Sequence, residues 1–577
     1  MKTYTKTVGA AAASRATALR AAALMAAAFS AAPRAALMAA LLALATFTGC
    51  APKIPALSIS SPDGRFMVFS GASQDSRPDW IFPLEGDTLL VNYMGQNGHA
   101  YGGGIPFSVV WTADECIGLG SLSPVPLEIA IPVEKKGNTV TITFDARDEQ
   151  LPELFVYKGK GDCWQALQAY ARALANRGVV PAGLQPASLE TQWCGWGYGA
   201  TFTPEEILAT LPKIKELGIE WVCVDDGFQT SRGGAADWRP SRFPEGTMKA
   251  LADAIHAAGM KAMIWWYPMG MSAESSFVRE HPEVVATDSL GQPWPLSHAC
   301  EFVSATHPLV LEEARAIVRM FLEEWDFDGI KLDGHQMNSA PQNFSCAEGP
   351  MYDVHHVTDF YKAIYEEALA VKPEAVVQYC PCGDVFSVYH LPYLNQTVSS
   401  DPTSPWQVRS KAYVLKALAP DIPYYGDHVE LIDDDFASQL AVGAVPGTKF
   451  TWPADNPDEL TNPWGGSSLL TPEREELFRK AFGIYAAERQ AEGKLVGGLY
   501  KLGFEEPEVY VVRKEGVWYY SLFAPAFDGA FTFKGLPRGR YQVEDLWNGR
   551  MLGTIGPKEK ALDLKFENWI LLKVSKI

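Results

Sequence analysis

The chain has 577 residues, 47% of them hydrophobic and 20% charged, a globular rather than a disordered composition. Lys plus Arg number 49 and Asp plus Glu 68, a formal charge of −19, which argues against a nucleic-acid partner because phosphate binding needs a basic surface. Aromatic residues reach 12%, with 17 Trp; this suits stacking on flat ligands such as sugar rings, and equally an aromatic-filled core.

Residues 1–49 contain Lys2, Lys6, Arg15, Arg20 and Arg34, and no acid. The apolar run from Ala35 to Thr48 ends at Gly49-Cys50. A basic region, a short apolar stretch and small residues at the cut describe an export signal. The run is shorter than the ~20 residues a spanning helix needs. Phe47-Thr48-Gly49-Cys50 resembles the lipobox of bacterial lipoproteins, with Phe where Leu is usual. That resemblance implies lipidation of Cys50 and an exported cell-envelope lipoprotein, bound to the membrane through its lipid on the periplasmic or outer face. A plain secretory signal and a transit peptide compete with it, and Met25 and Met38 are alternative starts. The other eight Cys show no CxxC pair and no zinc spacing, so no structural metal is expected. Their disulfide pairing stays open.

Residues 50–180 carry short β-rich runs such as Arg65–Phe69 and the alternating Thr139–Phe144, which predict an N-terminal β-sandwich. Residues 185–455 alternate helix and strand. Thr203-Pro204-Glu205-Glu206 opens a helix with a cap, a first-turn Pro and acids, and Gly218 closes it. Further helices are expected near 247–258, 309–324 and 356–371. Strands are expected at Leu189–Trp193, Ile219–Val224, Lys261–Trp266, Gly329–Asp333, Ala375–Tyr379, Gln396–Ser399, Ile422–Tyr425 and Thr448–Trp452. Eight helix-separated strands over this length predict a (β/α)8 TIM barrel of parallel strands. Residues 456–494 read as a helical connection. Residues 495–577, with Glu508–Val512, Val517–Ser521 and the turn Asn548-Gly549, read as a C-terminal β-sandwich.

Catalytic groups of such barrels sit at the C-terminal ends of the strands. Here those ends read Trp193-Cys194-Gly195-Trp196, Asp225-Asp226, Trp265-Trp266, Lys331-Leu332-Asp333, Cys380-Pro381-Cys382-Gly383, Ser400-Asp401 and Gly426-Asp427-His428. Carboxylates and indoles thus converge on one mouth. Carboxylates accept sugar hydroxyls, and two of them can serve as nucleophile and acid/base in glycoside cleavage. A lone Asp at a strand end is often only a helix cap, and Asp225-Asp226-Gly227 also suits a tight turn. Lys331 and Asp333, two apart, face one side of their strand and could form a structural ion pair. His355-His356 has no third ligand, and Asp433-Asp434-Asp435 reads as a helix start rather than a metal site.

These residues resemble glycoside hydrolase family 36, the α-galactosidase and raffinose-synthase group, over residues ~185–455. Trp196 matches the sugar-contacting Trp of the opening motif. Asp225 and Asp226 match the pair that holds O4 and O6. Asp237-Trp238 and Phe243-Pro244-Glu245-Gly246 resemble the segment that follows, and Trp265 the next strand's site residue. The resemblance makes Asp333 the nucleophile, Lys331 a hydroxyl ligand and Asp401 the general acid/base, with Arg409 beyond it. Cys380 and Gly383 match the family's Cys-x-x-Gly-Gly segment, here reduced. His298 stands where the family has Arg, His335 where it has Asn, and Tyr267-Pro268-Met269 where it has Glu-Pro-Glu. These departures surround O2, O3 and the rim, and leave the exact sugar open.

The implied activity is that of a retaining α-glycosidase, with α-galactosides as the leading substrates and no cofactor. α-N-acetylgalactosaminidase, other α-glycosidase and transglycosylase activities are alternatives, as is a catalytically silent carbohydrate-binding lipoprotein. The partners expected are a carbohydrate substrate and the membrane; an oligomer is compatible with the sequence. In a retaining enzyme the Asp333 and Asp401 carboxyls should lie about 5–5.5 Å apart.

Overall fold

The computed structural model describes residues 56–72, 79–95, 104–147, 149–229, 243–428, 434–453 and 468–577. Residues 1–49, Cys50 and Asp237-Trp238 lie outside the described residues.

A ring of eight parallel strands organises the centre. These are β1 (Gln192–Cys194), β2 (Trp221–Val224), β3 (Lys261–Trp266), β4 (Gly329–Asp333), β5 (Val376–Cys380), β6 (Gln396–Val398), β7 (Tyr424–Tyr425) and β8 (Gly447–Thr448). The pairings run in sequence from β1 to β7, β8 returns to β1, and a parallel bridge between Tyr425 and Val445 brings the eighth segment to the seventh. The barrel is therefore nearly closed. Its registers, among them Cys194↔Cys223, Trp265↔Lys331 and Asp333↔Cys380, set the catalytic-end residues side by side. The first strand starts later than expected because Pro186–Leu189 forms a 3₁₀ turn. The last is shorter than expected, ending at Thr448.

The helices around the ring include α1 (Pro204–Glu216), α2 (Thr247–Ala257), α3 (Pro308–Arg319), α4 (Tyr352–Val371), α5 (Pro405–Leu418), α6 (Phe436–Ala441) and α7 (Pro472–Glu488). At the start of α1, Thr203 accepts from the Glu206 amide while Glu206 reaches back to the Thr203 amide. This reciprocal cap satisfies two otherwise orphaned donors. Helix α3 runs on as a π turn, Met320–Glu324, which accounts for the longer helix expected to 324.

Inside the ring, three buried glutamines meet, at the first residues of β1 and β6 and the middle of β5. Gln192 donates to Gln396 at 2.7 Å, and Gln378 donates to both Gln192 and Gln396 at 2.9 and 2.6 Å. These bonds serve most of these buried polar groups, with Gln378 Oε1 left without a partner among the described residues.

N-terminal to the barrel, a four-stranded and a five-stranded antiparallel sheet share one apolar core. Leu57, Val133 and Val140 come from the first sheet, and Val68, Val110 and Leu119 from the second. This is a sandwich, and the helix Cys163–Ala175 follows it. The C-terminal region is one six-stranded antiparallel sheet. Its two 16-residue strands, Val517–Thr532 and Ala561–Lys576, bulge at Ala524–Ala526. Residues from both sides of the bulge, such as Tyr520 and Phe531, meet in a single core.

Buried Asp162 stitches the three regions together. It caps the helix it precedes through the Trp164 amide, and it accepts from the Tyr413 hydroxyl of α5 and the Leu502 amide of the C-terminal segment.

Candidate active site

The C-terminal ends of the strands open into a cavity of about 390 Å³. Trp196, Asp225, Asp226, Trp265, Lys331, Asp333 and Asp401 all line it, so seven of the residues singled out in the sequence meet in one place.

At its floor lies a chain of charge. Lys331 Nζ donates to Asp225 Oδ2 at 2.9 Å and lies 3.4 Å from Asp333 Oδ2. Burial alone would pull the Lys331 ammonium down, but Asp225, Cys194, Asp333 and Cys380 together outweigh it and hold the pKa well above the ordinary lysine value. Lys331 is therefore a permanent cation between two acids rather than a proton donor. Asp225 also accepts from Cys194 Sγ at 3.1 Å and from the Asp226 amide at 2.9 Å. Gln229 donates to Asp226 at 2.8 Å.

Asp333 is oriented from both sides. Trp265 Nε1 donates to Oδ2 at 2.9 Å and Cys382 Sγ donates to Oδ1 at 3.1 Å. Burial, with the Asp333 and Asp401 charges next to it, pushes the Cys382 thiol well above its usual value, so it stays a donor. Asp401 receives its position from the neighbouring loop: its amide donates to Asp427 Oδ2 at 3.1 Å. Burial would raise Asp427, but the adjacent His428 outweighs it and holds that carboxyl at about 2. One carboxylate oxygen of Asp333 and one of Asp401 lie within 4.8 Å of each other.

The backbone of this rim is unusual. Met269, His298, Cys382, Ser400, Asp401 and Asp427 all have left-handed φ, between 41° and 65°. Non-glycine residues held there cost of order 1–3 kcal/mol each, and such strain concentrates at functional sites. Trp196 depends on a different device. A Cβ on the next residue, Gly197, would lie 1.7 Å from the Lys449 carbonyl oxygen, so only glycine lets this turn close on the end of β8.

Three residues expected to contact the substrate do not line the cavity. Cys380 is fully buried beneath the cavity, with its Sγ 3.5 Å from Ser400 Oγ. Gly383 is occupied in structure: its amide donates to Ser400 Oγ at 2.7 Å and its carbonyl accepts from Trp80. Arg409 does not reach the cavity. Its Nε donates to Glu508 and its Nη1 to Ser438, and its guanidinium lies 4.0 Å from the centre of the Phe523 ring. The C-terminal sheet captures this side chain, and nothing in the local motif announces that sheet.

Residues that depart from the family pattern also form the wall, with Cys382 beside them. Tyr267, His298, His335 and Cys382 line the cavity. His335 Nδ1 lies 2.9 Å from Asp384 Oδ2. Burial opposes its charged form, yet the Asp384 carboxylate prevails and raises its pKa. Among the described residues three groups bring metal-ligand types within 4.8 Å of one another: Cys194, Cys223 and Asp225; Asp333, Cys380 and Asp401; and, away from the cavity, Asp253, His256 and Asp326. In the first, the Lys331 ammonium already serves Asp225 as counter-cation.

The melibiase family model matches residues 152–440, half of the chain. The chain belongs to the melibiase family. Among curated proteins it is 28% identical over 508 residues to an A type blood α-D-galactosamine galactosaminidase of Flavonifractor plautii, covering 82% of this melibiase-family chain. The chain spans 45% of that protein's length, less than half of the curated relative it matches. Solved structures share its fold. A GH36 α-galactosidase variant of Geobacillus stearothermophilus in complex with stachyose superposes with a TM-score of 0.66 at 16% identity, covering 90% of this chain and 76% of that one. The α-galactosidase of Lactobacillus brevis gives 0.61 at 17% identity, covering 90% and 75%.

Proposed function

We propose that this melibiase-family chain is a retaining α-glycosidase that releases terminal α-linked galactose-type sugars, with Asp333 as nucleophile and Asp401 as general acid/base. The observation that carries the reading is the approach of the two carboxylates to within 4.8 Å. Retaining enzymes hold their carboxyl pair about 5–5.5 Å apart, whereas inverting enzymes need roughly 6.5–9.5 Å to admit water.

In this reading the sugar enters with O4 and O6 toward Asp225 and Asp226. Asp333, aimed by Trp265 and Cys382, attacks the anomeric carbon as Asp401 protonates the departing oxygen. Asp401, now a carboxylate, then takes a proton from water, which attacks the glycosyl-enzyme and restores the original configuration. Lys331 stays charged throughout and donates to a ring hydroxyl. Two carboxylates suffice for both steps.

A second substrate reading rests on the charge of the cavity. Asp225, Asp226, Asp333 and Asp401 line it against Lys331 and two histidines, an excess of acid that suits an amino sugar. The Flavonifractor relative is itself a galactosaminidase. A panel of nitrophenyl α-galactoside, α-galactosaminide and α-N-acetylgalactosaminide separates these readings. Turnover led by the galactoside is the expected result, turnover led by the galactosaminide favours the second reading, and binding without turnover of any glycoside defeats both.

We also propose that the chain is exported and anchored through lipidated Cys50, on the strength of the basic, acid-free leader and the lipobox-like ending. Cys50→Ala should move the protein from the membrane to the soluble fraction with its activity unchanged. A variant that still pellets with membranes counts against the anchor.

A further inference from the structure

A second cavity, of about 770 Å³, lies where the barrel meets the C-terminal sheet. Two of the barrel's own loops reach it. The loop after β6 carries Asp401 and then opens α5, whose second residue is Trp406. The loop after β7 carries Asp427 and leads to Asp435, the cap of α6. Trp406 and Asp435 both line the cavity. It therefore stands at the catalytic end of the barrel, served by the same two loops that are joined by the Asp401–Asp427 hydrogen bond.

The opposite wall is a built surface. Glu508 pairs with Phe523, and Phe523 with Trp569, across three adjacent antiparallel strands. Directly paired residues of antiparallel strands share a face, so a carboxylate and two rings form one row. Arg409 covers the Phe523 ring and neutralises Glu508. Trp569, half-buried and edge-on to Trp547, lines the cleft together with Trp406 and Phe504. Beside Trp569, Asn568 holds a left-handed φ of 63°.

The polar chemistry points the same way. Asp435 Oδ1 accepts from the Ser438 amide, while the buried Oδ2 has no hydrogen-bond partner among the described residues. A buried carboxylate oxygen without a donor is costly, and a ligand hydroxyl would supply one. Glu506 adds a further acid to the lining. Indoles beside one buried acceptor that lacks a donor suit a pyranose, which offers an apolar face and hydroxyl donors. Asp435, Glu505, Glu506 and Glu508 outnumber Arg65 and Arg409 in the lining, and Arg409 is already paired with Glu508, so phosphate, sulfate or carboxylate on the ligand is disfavoured.

We infer that this cleft is a second carbohydrate site, which holds a neutral or amino-sugar part of a glycan whose terminal sugar occupies the catalytic cavity. The identification of that glycan as substrate rests on the glycosidase reading, but binding in the cleft does not. Removal of one aromatic contact of this kind costs about 0.5–1.5 kcal/mol, about three- to tenfold in affinity.

The test uses the full chain, with stachyose as probe. Trp569→Ala should raise the stachyose KM about three- to tenfold and leave kcat/KM on nitrophenyl α-galactoside unchanged. Asp435→Asn, which keeps the shape of the cap, should do the same in smaller measure. Independently of any turnover, stachyose titrated against the Asp333→Ala chain should bind about three- to tenfold more weakly once Trp569→Ala is added, read by nuclear magnetic resonance saturation transfer. If the glycosidase reading fails, this binding difference persists. Unchanged stachyose binding and KM in both variants would overturn the second site, as would an equal loss on the nitrophenyl substrate, which marks a structural role only.

Discussion

Asp333→Ala is expected to lose nitrophenyl α-galactoside hydrolysis by about 10⁴-fold or more, because removal of a nucleophile abolishes the first bond-forming step for every leaving group. A good leaving group gives no relief, since protonation is not what is missing. The vacated space, between the Trp265 indole and the Cys382 thiol, admits a small anion. Added azide should attack the anomeric carbon from the side Asp333 occupied and give the β-glycosyl azide, inverted from the substrate, or no product. Chromatography and proton spectra of the azide adduct check this. Rapid hydrolysis by the variant would place the nucleophile elsewhere.

Asp401→Ala should behave differently in kind. Nitrophenolate needs little protonation, so the first step partly survives, while the second lacks its base and the glycosyl-enzyme accumulates. General acid–base assistance is worth about 10²–10⁴-fold, and the steady-state rate should fall within that range. Azide needs no base, so it should restore turnover and yield the α-glycosyl azide, with configuration retained. A burst of nitrophenolate in rapid-mixing measurements should accompany the slow steady state. If azide instead rescued Asp333→Ala with retention, the two roles would be exchanged.

Much of this site can be read from strand ends alone. Asp225, Asp333 and Asp401 follow β-branched or apolar runs, and the rule that barrel strands end at the active site places them on one rim before any contact is known. The barrel strands themselves announce their parallel pairing because they are buried on both faces, as in Trp221–Val224. What the chain conceals depends on partners distant in sequence. Arg409 lies one turn into a helix close to the catalytic loop, yet Glu508, 99 residues on, takes its guanidinium away. Cys382 reaches Asp333 only because its backbone adopts a left-handed φ of 49°, which no glycine signals. His335 is drawn toward its charged form through Asp384, 49 positions away. The C-terminal region shows its strands plainly, but not that a bulge at Ala524–Ala526 lets one sheet close over a single core.

Proximity of Asp333 and Asp401 is the centre of the account, and the configuration of the first product tests it most directly. Proton spectra recorded within the first turnovers of nitrophenyl α-galactoside, before mutarotation, should show the α-anomer of the released sugar. The β-anomer appearing first would mean that water attacks the substrate directly, and would contradict the assignment of Asp333 as a covalent nucleophile.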